Sequence, residues 1–314
     1  MITWRMIAII AIAFVVCLIT IPLLRRMASR WRLVDDAGED PLKIHAAPIP
    51  FVGGLGIVAG CLISIVAVEY SKSAVWVLSL ALGAAALGFC DDRFNVRPAV
   101  RLMVEIAIGW ALAVAGIATD LFVGVWWQVA IRGAAGYALI IVLVIFFVAG
   151  AINAINMQDG MDGLAGGVAL ISCIGFAVVG LSLNRFLIVA LSLSLAGSLA
   201  AFLIYNFHPA SVFMGDNGSY FLGFMLAAMA LISAFTNPGA ANFAGAVLMI
   251  GVPVFDAAFA IIRRLARGMS PLAGDRSHFY DYLARRGLSI RKVAFVSYAL
   301  QTGFVSAGAA ILIV

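Results

Sequence analysis

Residues 137–163 read YALIIVLVIFFVAGAINAINMQDGMDG, an apolar run that changes abruptly to asparagine and aspartate. A helix needs about 20 apolar residues to cross the hydrocarbon core of a bilayer. The apolar part, residues 137–152, approaches that length, and the polar part that follows would leave the membrane at its surface. The stretch therefore predicts a membrane-spanning helix that ends in a group of polar side chains.

The same apolar pattern recurs along the 314 residues, of which 64% are hydrophobic and only 11% charged. A soluble domain carries about 25% charged residues, so this composition excludes a soluble globular enzyme and a disordered chain. The four cysteines form no paired motif and are interpreted as small hydrophobic residues. We predict a single all-α, polytopic membrane domain over residues 1–314. Its ten transmembrane helices are placed near 3–24, 51–69, 74–90, 102–118, 137–152, 163–182, 186–205, 218–235, 240–262 and 293–313.

Basic residues are unevenly divided between the two sets of loops that ten spans create. One set contains 16 of the 20 Lys and Arg residues. Because positively charged loops stay in the cytoplasm, this set is predicted to be cytoplasmic and both termini periplasmic. This topology accounts for the net charge of +5, and no compact basic face with interleaved aromatic residues predicts a nucleic acid partner. The loops of the basic set are 25–50, 91–101, 153–162, 206–217 and 263–292.

Acidic residues concentrate on the same side, which the charge rule for loops does not require. All but two of the 15 Asp and Glu residues lie in the cytoplasmic loops or in the helices that adjoin them. Two of these loops have no basic residue, yet they carry Asp159, Asp162 and Asp216. Carboxylates at membrane ends without local cations are typical of a metal or substrate site, although solvated loop acids are the alternative. We therefore predict an active site on the cytoplasmic face.

The loop before the second span combines a lysine and a histidine with glycines. Lys43 and His45 precede Gly53 and Gly54, whose backbone amides could join them in holding a phosphate. The alternative is a proline-ordered connector whose small residues serve helix packing.

Two adjacent carboxylates, Asp91 and Asp92, end the third span. Their repulsion is costly near lipid unless a divalent cation or a hydrogen-bond network removes it, and oxygen ligands suit Mg²⁺. The alternative is a solvated helix end with Arg93 as the counter-ion.

The polar string after the fifth span repeats every three residues, at Asn153, Asn156, Asp159 and Asp162. A helical or 3₁₀ segment would align these side chains on one side. We interpret them as one face of a binding site.

Two further segments carry candidate residues. The turn Phe213–Ser219 places Asp216 and several backbone donors at a helix start, which suits phosphate plus metal, although Asp216 could simply cap the helix. The last polar loop carries Asp275, Arg276 and His278, while its arginines could contact anionic lipid headgroups.

Together these segments resemble the polyprenyl-phosphate N-acetylhexosamine-1-phosphate transferase family. The Asp91-Asp92 pair, the string N-x-x-N-x-x-D-G-x-D-G-L and the turn G-D-x-G-S are specific in combination. The resemblance implies a multi-pass enzyme of the bacterial inner (plasma) membrane with Mg²⁺, or Mn²⁺ in its place, as cofactor. Such an enzyme transfers a sugar 1-phosphate from a UDP-N-acetylhexosamine to undecaprenyl phosphate and releases UMP.

The resemblance also implies a role for each matching residue. Asp91 and Asp92 would face the lipid phosphate, one of them as a base, and Asp92 and Asp216 would bind the metal. Phe213 would stack on uracil. The implied catalytic residues are Asp91, Asp92, Asp216 and His278, and the implied substrate-binding residues are Lys43, His45, Asn153, Asn156, Asp159, Asp162, Phe213 and Arg276.

The last loop departs from the family pattern. Many members carry H-x-H-H there, whereas this chain has His278-Phe-Tyr-Asp, so a role for further histidines cannot be transferred. The form is closer to the branch that starts O-antigen chains than to the branch that makes lipid I. This implies a plain or 6-deoxy N-acetylhexosamine donor, without fixing which one.

Several alternatives stay open at this point. The lipid phosphate could attack directly, since the second pKa of a phosphate monoester is about 6, or an aspartate could form a covalent aspartyl-phosphate. An ion-coupled transporter would use mid-membrane acids such as Glu105 and Asp256, but it predicts repeat symmetry that the sequence lacks. The motif of CDP-alcohol phosphatidyltransferases is absent. Glycine-rich spans are compatible with a homodimer.

Overall fold

The computed structural model describes residues 2–31, 33–35, 48–69, 71–118, 134–236, 240–270 and 278–314. Over these ranges the protein is almost entirely helical, as predicted. A short antiparallel pair, β1 (Val34–Asp35) with β2 (Ile49–Pro50), lies between the first two helices. The helices are α1 (Ile2–Trp31), α2 (Gly53–Val68), α3 (Lys72–Phe94), α4 (Pro98–Ala118), α5 (Ala134–Gln158), α6 (Leu164–Ser182), α7 (Phe186–Asn206), α8 (Asp216–Thr236), α9 (Ala240–Leu248), α10 (Gly251–Ala266), α11 (Phe279–Arg285) and α12 (Ile290–Ile313).

Helix α8 forms the centre of the bundle. Every residue from Asn217 to Phe235 is buried, and α2, α3, α5, α6, α7 and α9 pack around it. The outer helices expose large apolar side chains instead, among them Trp4, Phe146 and Ile204. An apolar outer surface around an apolar core is the arrangement expected of a protein that lies in a bilayer.

Eight of the described helices are long and apolar enough to cross a membrane. The prediction of ten full-length spans is therefore not confirmed. The second predicted span is the 16-residue helix α2, which at 1.5 Å per residue is shorter than the hydrocarbon core of about 30 Å. The ninth predicted span, residues 240–262, is wrong as one straight helix, because α9 and α10 meet at 92°.

The break between α9 and α10 is held by one side chain of α12. Gln301 accepts from the Val252 N–H (2.9 Å) and donates to the Met249 carbonyl (2.9 Å) and to Ser172 Oγ (2.9 Å). Its buried amide thus replaces helical hydrogen bonds that the bend removes. Pro253 follows the break and lies in the first turn of α10, where its missing N–H is tolerated.

Replacing Gln301 should destabilise this junction. Gln301→Leu leaves the Met249 carbonyl and the Val252 N–H without that partner in a buried place, at a cost of about 1–3 kcal/mol. We expect a clear fall in the Tm of the purified protein. Thr302→Val, which removes an exposed hydroxyl on the same helix, should leave the Tm nearly unchanged. Equal Tm values for the two variants would contradict this account of the bend.

The two ends of the bundle differ in polarity. At one end Arg5 pairs with Glu69 (3.0 Å) and lies over the Phe186 ring, which joins the start of α1, the end of α2 and the start of α7. At the other end, α3, α5 and α7 finish, and α4, α6, α8 and α12 begin. The acidic side chains of the predicted site lie at this second end.

Candidate active site

Three carboxylates from separate segments of the chain meet where α3 and α5 end and α8 begins. We call Asp92, Asp159 and Asp216 the acidic cluster. Asp92 Oδ1 accepts from the Asp216 N–H (2.9 Å), and the Asn156 amide donates to Asp216 Oδ1 (2.6 Å). Burial and the negative charges of Asp216, Asp92 and Asp162 raise the pKa of Asp159 well above its usual range. The predicted convergence of these acids is therefore present in the fold.

The start of α8 is capped by a carboxylate from α3. Asp92 accepts from the backbone N–H groups of Asp216 and Asn217, and the Gly215 carbonyl accepts from those of Gly218 and Ser219. The first backbone donors of α8 are thus all used. The prediction that they bind a phosphate is wrong for this structure, because a protein carboxylate already occupies the anion site of the helix.

Asp92 has little capacity left for a metal. Its Oδ2 accepts from the Asn217 side-chain amide (2.8 Å) in addition to the Asn217 N–H (3.1 Å). The close approach of α3 and α8 explains why residue 88 is glycine, since a Cβ there would lie 2.2 Å from the Asp216 carbonyl oxygen. Asp92 therefore holds the start of α8, and its place as a metal ligand stays a prediction.

Asp91 lies next to Asp216 of the acidic cluster but has its own set of hydrogen-bond donors. Its carboxylate is 3% exposed and accepts from Arg101, from the Tyr220 hydroxyl (2.8 Å) and from the Val96 N–H (2.9 Å). Neighbouring residues on a helix point about 100° apart, so Asp91 and Asp92 meet different donors. The joint role of Asp91 and Asp92 at the lipid phosphate stays a prediction, and the counter-ion of Asp91 is Arg101, not Arg93.

The repeat of polar residues after the fifth span does not form one face. Helix α5 ends at Gln158, so only Asn153 and Asn156 are helical. Asn153 lies one turn deeper and donates to the buried Glu105 (2.6 Å), whereas Asn156 bridges Asp216 and Ser219 Oγ (3.0 Å). The prediction of a single aligned side fails because the chain turns after the helix.

Asp159 is the most available carboxylate of the acidic cluster. Within the described ranges no residue donates a hydrogen bond to its side chain. Asp162, across the turn, accepts from His208 Nδ1 (2.7 Å) and from the Ala210 N–H (3.0 Å). His208 was not among the residues predicted from sequence. The available signal was its position in the short polar loop before α8.

The glycine amides before α2 are also already bonded. The N–H groups of Gly53 and Gly54 donate to the carbonyls of Phe213 (3.0 Å) and Met214 (2.9 Å). The predicted use of these amides for phosphate is therefore wrong. Phe213 is half-buried beside the acidic cluster, and its role at uracil stays a prediction. The substrate-binding residues Lys43, His45 and Arg276 lie outside the described residues.

His278 is buried and joined to the rest of the site through its neighbours. Its Nδ1 lies 3.1 Å from Asp256 Oδ2, and its ring stacks on Tyr280 at 5.4 Å. The Tyr280 hydroxyl donates to the Met157 carbonyl (3.0 Å) and packs on Gly160, next to Asp159. Sequence reasoning missed this connection. The two acids proposed for a transporter relay are each paired, Asp256 with His278 and Glu105 with Asn153.

Comparisons with known proteins identify the family of the chain. A family model for glycosyl transferase family 4 matches residues 74–234, just over half of the chain, from α3 to α8. The chain belongs to this family, the polyprenyl-phosphate N-acetylhexosamine-1-phosphate transferases. The resemblance predicted from sequence is therefore confirmed.

Three relatives illustrate the range of family 4 proteins to which this chain is similar. A probable undecaprenyl-phosphate N-acetylglucosaminyl 1-phosphate transferase of Bacillus subtilis (strain 168) is 34% identical over 98% of this chain and 86% of its own length. The undecaprenyl-phosphate alpha-N-acetylglucosaminyl 1-phosphate transferase of Escherichia coli (strain K12) is 32% identical over 90% and 77%. The decaprenyl-phosphate N-acetylglucosaminephosphotransferase of Mycobacterium leprae (strain TN) is 30% identical over 85% and 74%.

The donors available in this family 4 protein fit a divalent ion that is shared with a substrate. Within the described ranges, no three His, Cys, Asp or Glu side chains form a metal site by themselves. Mg²⁺ is usually held by one or two carboxylates together with water and substrate phosphates. Asp159 and Asp216 supply oxygen donors of the kind Mg²⁺ prefers, from two helix ends that Asn156 and Asp92 hold in place.

Proposed function

We propose that this protein transfers N-acetylglucosamine 1-phosphate from UDP-N-acetylglucosamine to undecaprenyl phosphate and releases UMP, with Mg²⁺ as cofactor. The reaction would take place at the cytoplasmic face of the bacterial inner membrane. The observation that carries the proposal is the acidic cluster at the membrane-surface ends of apolar helices. The names of the relatives support N-acetylglucosamine and a polyprenyl phosphate as the substrates.

In this proposal Asp159 and Asp216 would hold the metal ion. When bound, the ion neutralises negative charge on the diphosphate of the donor, which is the main requirement of phosphoryl transfer. Asn156 keeps Asp216 Oδ1 in place (2.6 Å), so the carboxylate would meet the ion in a fixed orientation. Asp92 fixes the first residue of α8, so it acts on Asp216 through the backbone.

We propose direct attack by the lipid phosphate. A phosphate monoester is largely ionised near neutral pH, because its second pKa is about 6, so no residue has to remove a proton from it. Asp91, the implied base, is already saturated by three donors, which also supports a reaction without a base. The covalent alternative would require an aspartate free to attack, and Asp159 is the candidate for that role.

The proposal is tested with protein purified in detergent or nanodiscs. With undecaprenyl phosphate and Mg²⁺ or Mn²⁺, UDP-N-acetylglucosamine should give UMP and a lipid-linked sugar 1-phosphate in equal amounts, measured by chromatography and mass spectrometry. Chelation of the metal should stop both products. A panel with UDP-N-acetylgalactosamine, UDP-glucose and a UDP-muramyl-pentapeptide defines the donor. UMP release without a lipid product, or no turnover of any donor, would contradict the proposal.

The proposed sidedness can be tested at the two ends of α3. Arg93 and Lys72 are both exposed and lie at opposite ends of this helix. In a Cys90→Ser background, which removes the exposed native thiol, we expect an impermeant maleimide to label Arg93→Cys only in inside-out vesicles. Lys72→Cys should react only in intact spheroplasts. The reverse pattern would place the acidic cluster on the periplasmic side.

A further inference from the structure

The side chain of Tyr280 connects α11 to the end of α5. Its hydroxyl donates to the Met157 carbonyl (3.0 Å). The last four carbonyls of a helix have no partner within the helix, so this bond satisfies one of those at the end of α5. The Tyr280 ring also packs on Gly160, where a Cβ would lie 2.3 Å from the hydroxyl oxygen. The two contacts lie on either side of Asp159 in the sequence.

Tyr280 is also fixed on the side of α11. The Asp256 carboxylate accepts from the Phe279 N–H (2.7 Å) and lies 3.1 Å from His278 Nδ1, which anchors the start of α11 to α10. The His278 ring stacks on Tyr280 with an interplanar angle of 7°. The tyrosine is buried in a small apolar cluster, whose other members are Leu164, Val168, Val252 and Val293. The hydroxyl therefore has a fixed place against α5.

The Asp159 carboxylate has no such direct support. Within the described ranges no group donates a hydrogen bond to it, and the negative charges of the neighbouring aspartates repel it. The place of this carboxylate therefore depends on the backbone that carries it. Tyr280 holds that backbone twice, at the Met157 carbonyl before Asp159 and at Gly160 after it.

We infer that Tyr280 is a positioning residue for the proposed metal site: it holds the end of α5 and the following turn so that the Asp159 carboxylate stays in place to meet the ion. This inference rests on the proposed function and extends it to α11. Groups that orient a metal ligand typically change the metal affinity by about 10–100-fold. Tyr280 stands where many family members carry the second histidine of H-x-H-H, and a histidine has no hydroxyl for the Met157 carbonyl.

The test compares Tyr280→Phe with Tyr282→Phe in the purified protein. The first variant removes only the hydroxyl that bonds to α5, and the second removes the hydroxyl of an exposed tyrosine on the same helix. Mn²⁺ binding is measured by electron paramagnetic resonance in the presence of UMP. We expect Tyr280→Phe to raise the Kd for Mn²⁺ about tenfold, and Tyr282→Phe to leave it within about twofold.

A metal titration of turnover separates positioning from a general loss of stability. In Tyr280→Phe the Mg²⁺ concentration for half-maximal UMP release should rise about tenfold, while kcat at saturating Mg²⁺ stays within about twofold. Ile9→Ala is the destabilised reference, because it opens a cavity in α1 near the opposite end of the bundle. It should lower the Tm and leave the Kd for Mn²⁺ within about twofold.

A double variant shows whether Tyr280 acts through Asp159. In the Asp159→Asn background the carboxylate that Tyr280 positions is absent. Adding Tyr280→Phe should therefore change the Kd for Mn²⁺ less than about twofold, since the effects of two residues that act through one contact do not add.

Three results would overturn the inference: the same Kd for Mn²⁺ in Tyr280→Phe and the wild type, an equal loss in Tyr282→Phe, or a further tenfold loss in the Asp159→Asn background. A wild type that binds no Mn²⁺ would overturn it as well. The binding measurements do not depend on turnover. If the wild type and its variants bind Mn²⁺ as expected but no sugar phosphate is transferred, the proposed reaction fails while the role of Tyr280 stands. If the wild type turns over normally and Tyr280→Phe matches it at every Mg²⁺ concentration, the role of Tyr280 fails alone.

Discussion

Asp216→Asn should lower kcat by about a thousandfold or more, the scale of losing a charged group that stabilises the transition state. The Asp216 carboxylate accepts from the Asn156 side chain, and the Asp216 N–H at the start of α8 donates to Asp92. The asparagine carbonyl can still accept from Asn156, so the fold should be kept while the oxygen left for a divalent ion is replaced by an amide. Turnover is measured as UMP release at saturating Mg²⁺.

Ser219→Ala is the matched control for Asp216→Asn. It removes the second acceptor of Asn156 from the next turn of α8 and leaves every carboxylate of the acidic cluster in place. We expect less than about a tenfold loss. A Tm close to that of the wild type in both variants would show that neither effect comes from unfolding. Wild-type turnover in Asp216→Asn would remove this residue from the metal site.

Asp159→Asn should abolish most turnover and at the same time stabilise the metal-free protein. The pKa of Asp159 is raised by burial and by Asp216, Asp92 and Asp162, so its ionised form is disfavoured in the fold. We expect a loss in kcat/KM of about a hundredfold or more. Removing one of several like charges should raise the Tm of the metal-free protein by about 2 °C or more.

The pH dependence of the stability of the metal-free protein tests the same placement of Asp159. Because the pKa of Asp159 is higher in the fold than in the unfolded chain, the fold binds the proton more tightly. Stability therefore falls as the pH rises from the ordinary aspartate range towards the raised pKa. The metal-free wild type should melt higher near about pH 5 than near about pH 8, and Mg²⁺ with UMP should recover stability at the higher pH. Asp159→Asn should reduce both effects, and unchanged kinetics and melting would contradict its placement.

The membrane helices could be predicted from sequence because apolar length is a property of one segment at a time. Most predicted spans correspond to a helix of the structure. The break between α9 and α10 could not be predicted, because hydropathy continues across Met249–Gly251 and the bend is held by Gln301, about 50 residues further on. A side chain that completes another helix leaves no local signal.

In the site, too, features of one segment could be predicted and contacts between distant segments could not. Sequence reasoning identified Asp92, Asp159 and Asp216 as one constellation, and the fold brings them together. It did not predict that Asp92 would cap α8, because a cap supplied by another helix depends on the packing of α3 against α8.

The hydrogen-bond partners of Asp91 and His208 could not be predicted from the sequence either. Because Asp91 and Asp92 are adjacent in the sequence, one role was predicted for both. The sequence did not show that Asp91 would bind Arg101 and Tyr220. His208 was missed because a lone histidine acquires meaning only from its contact with Asp162.

The most direct test of the central claim, that Asp159 and Asp216 share a single divalent ion with the nucleotide, is Mn²⁺ binding followed by electron paramagnetic resonance in the presence of UMP. The account predicts one bound Mn²⁺ per chain in the wild type. Glu69→Gln, at the opposite end of the bundle, should bind Mn²⁺ equally well, whereas Asp159→Asn and Asp216→Asn should each raise the Kd for Mn²⁺ at least about tenfold. Unaltered Mn²⁺ binding in those two variants would contradict it.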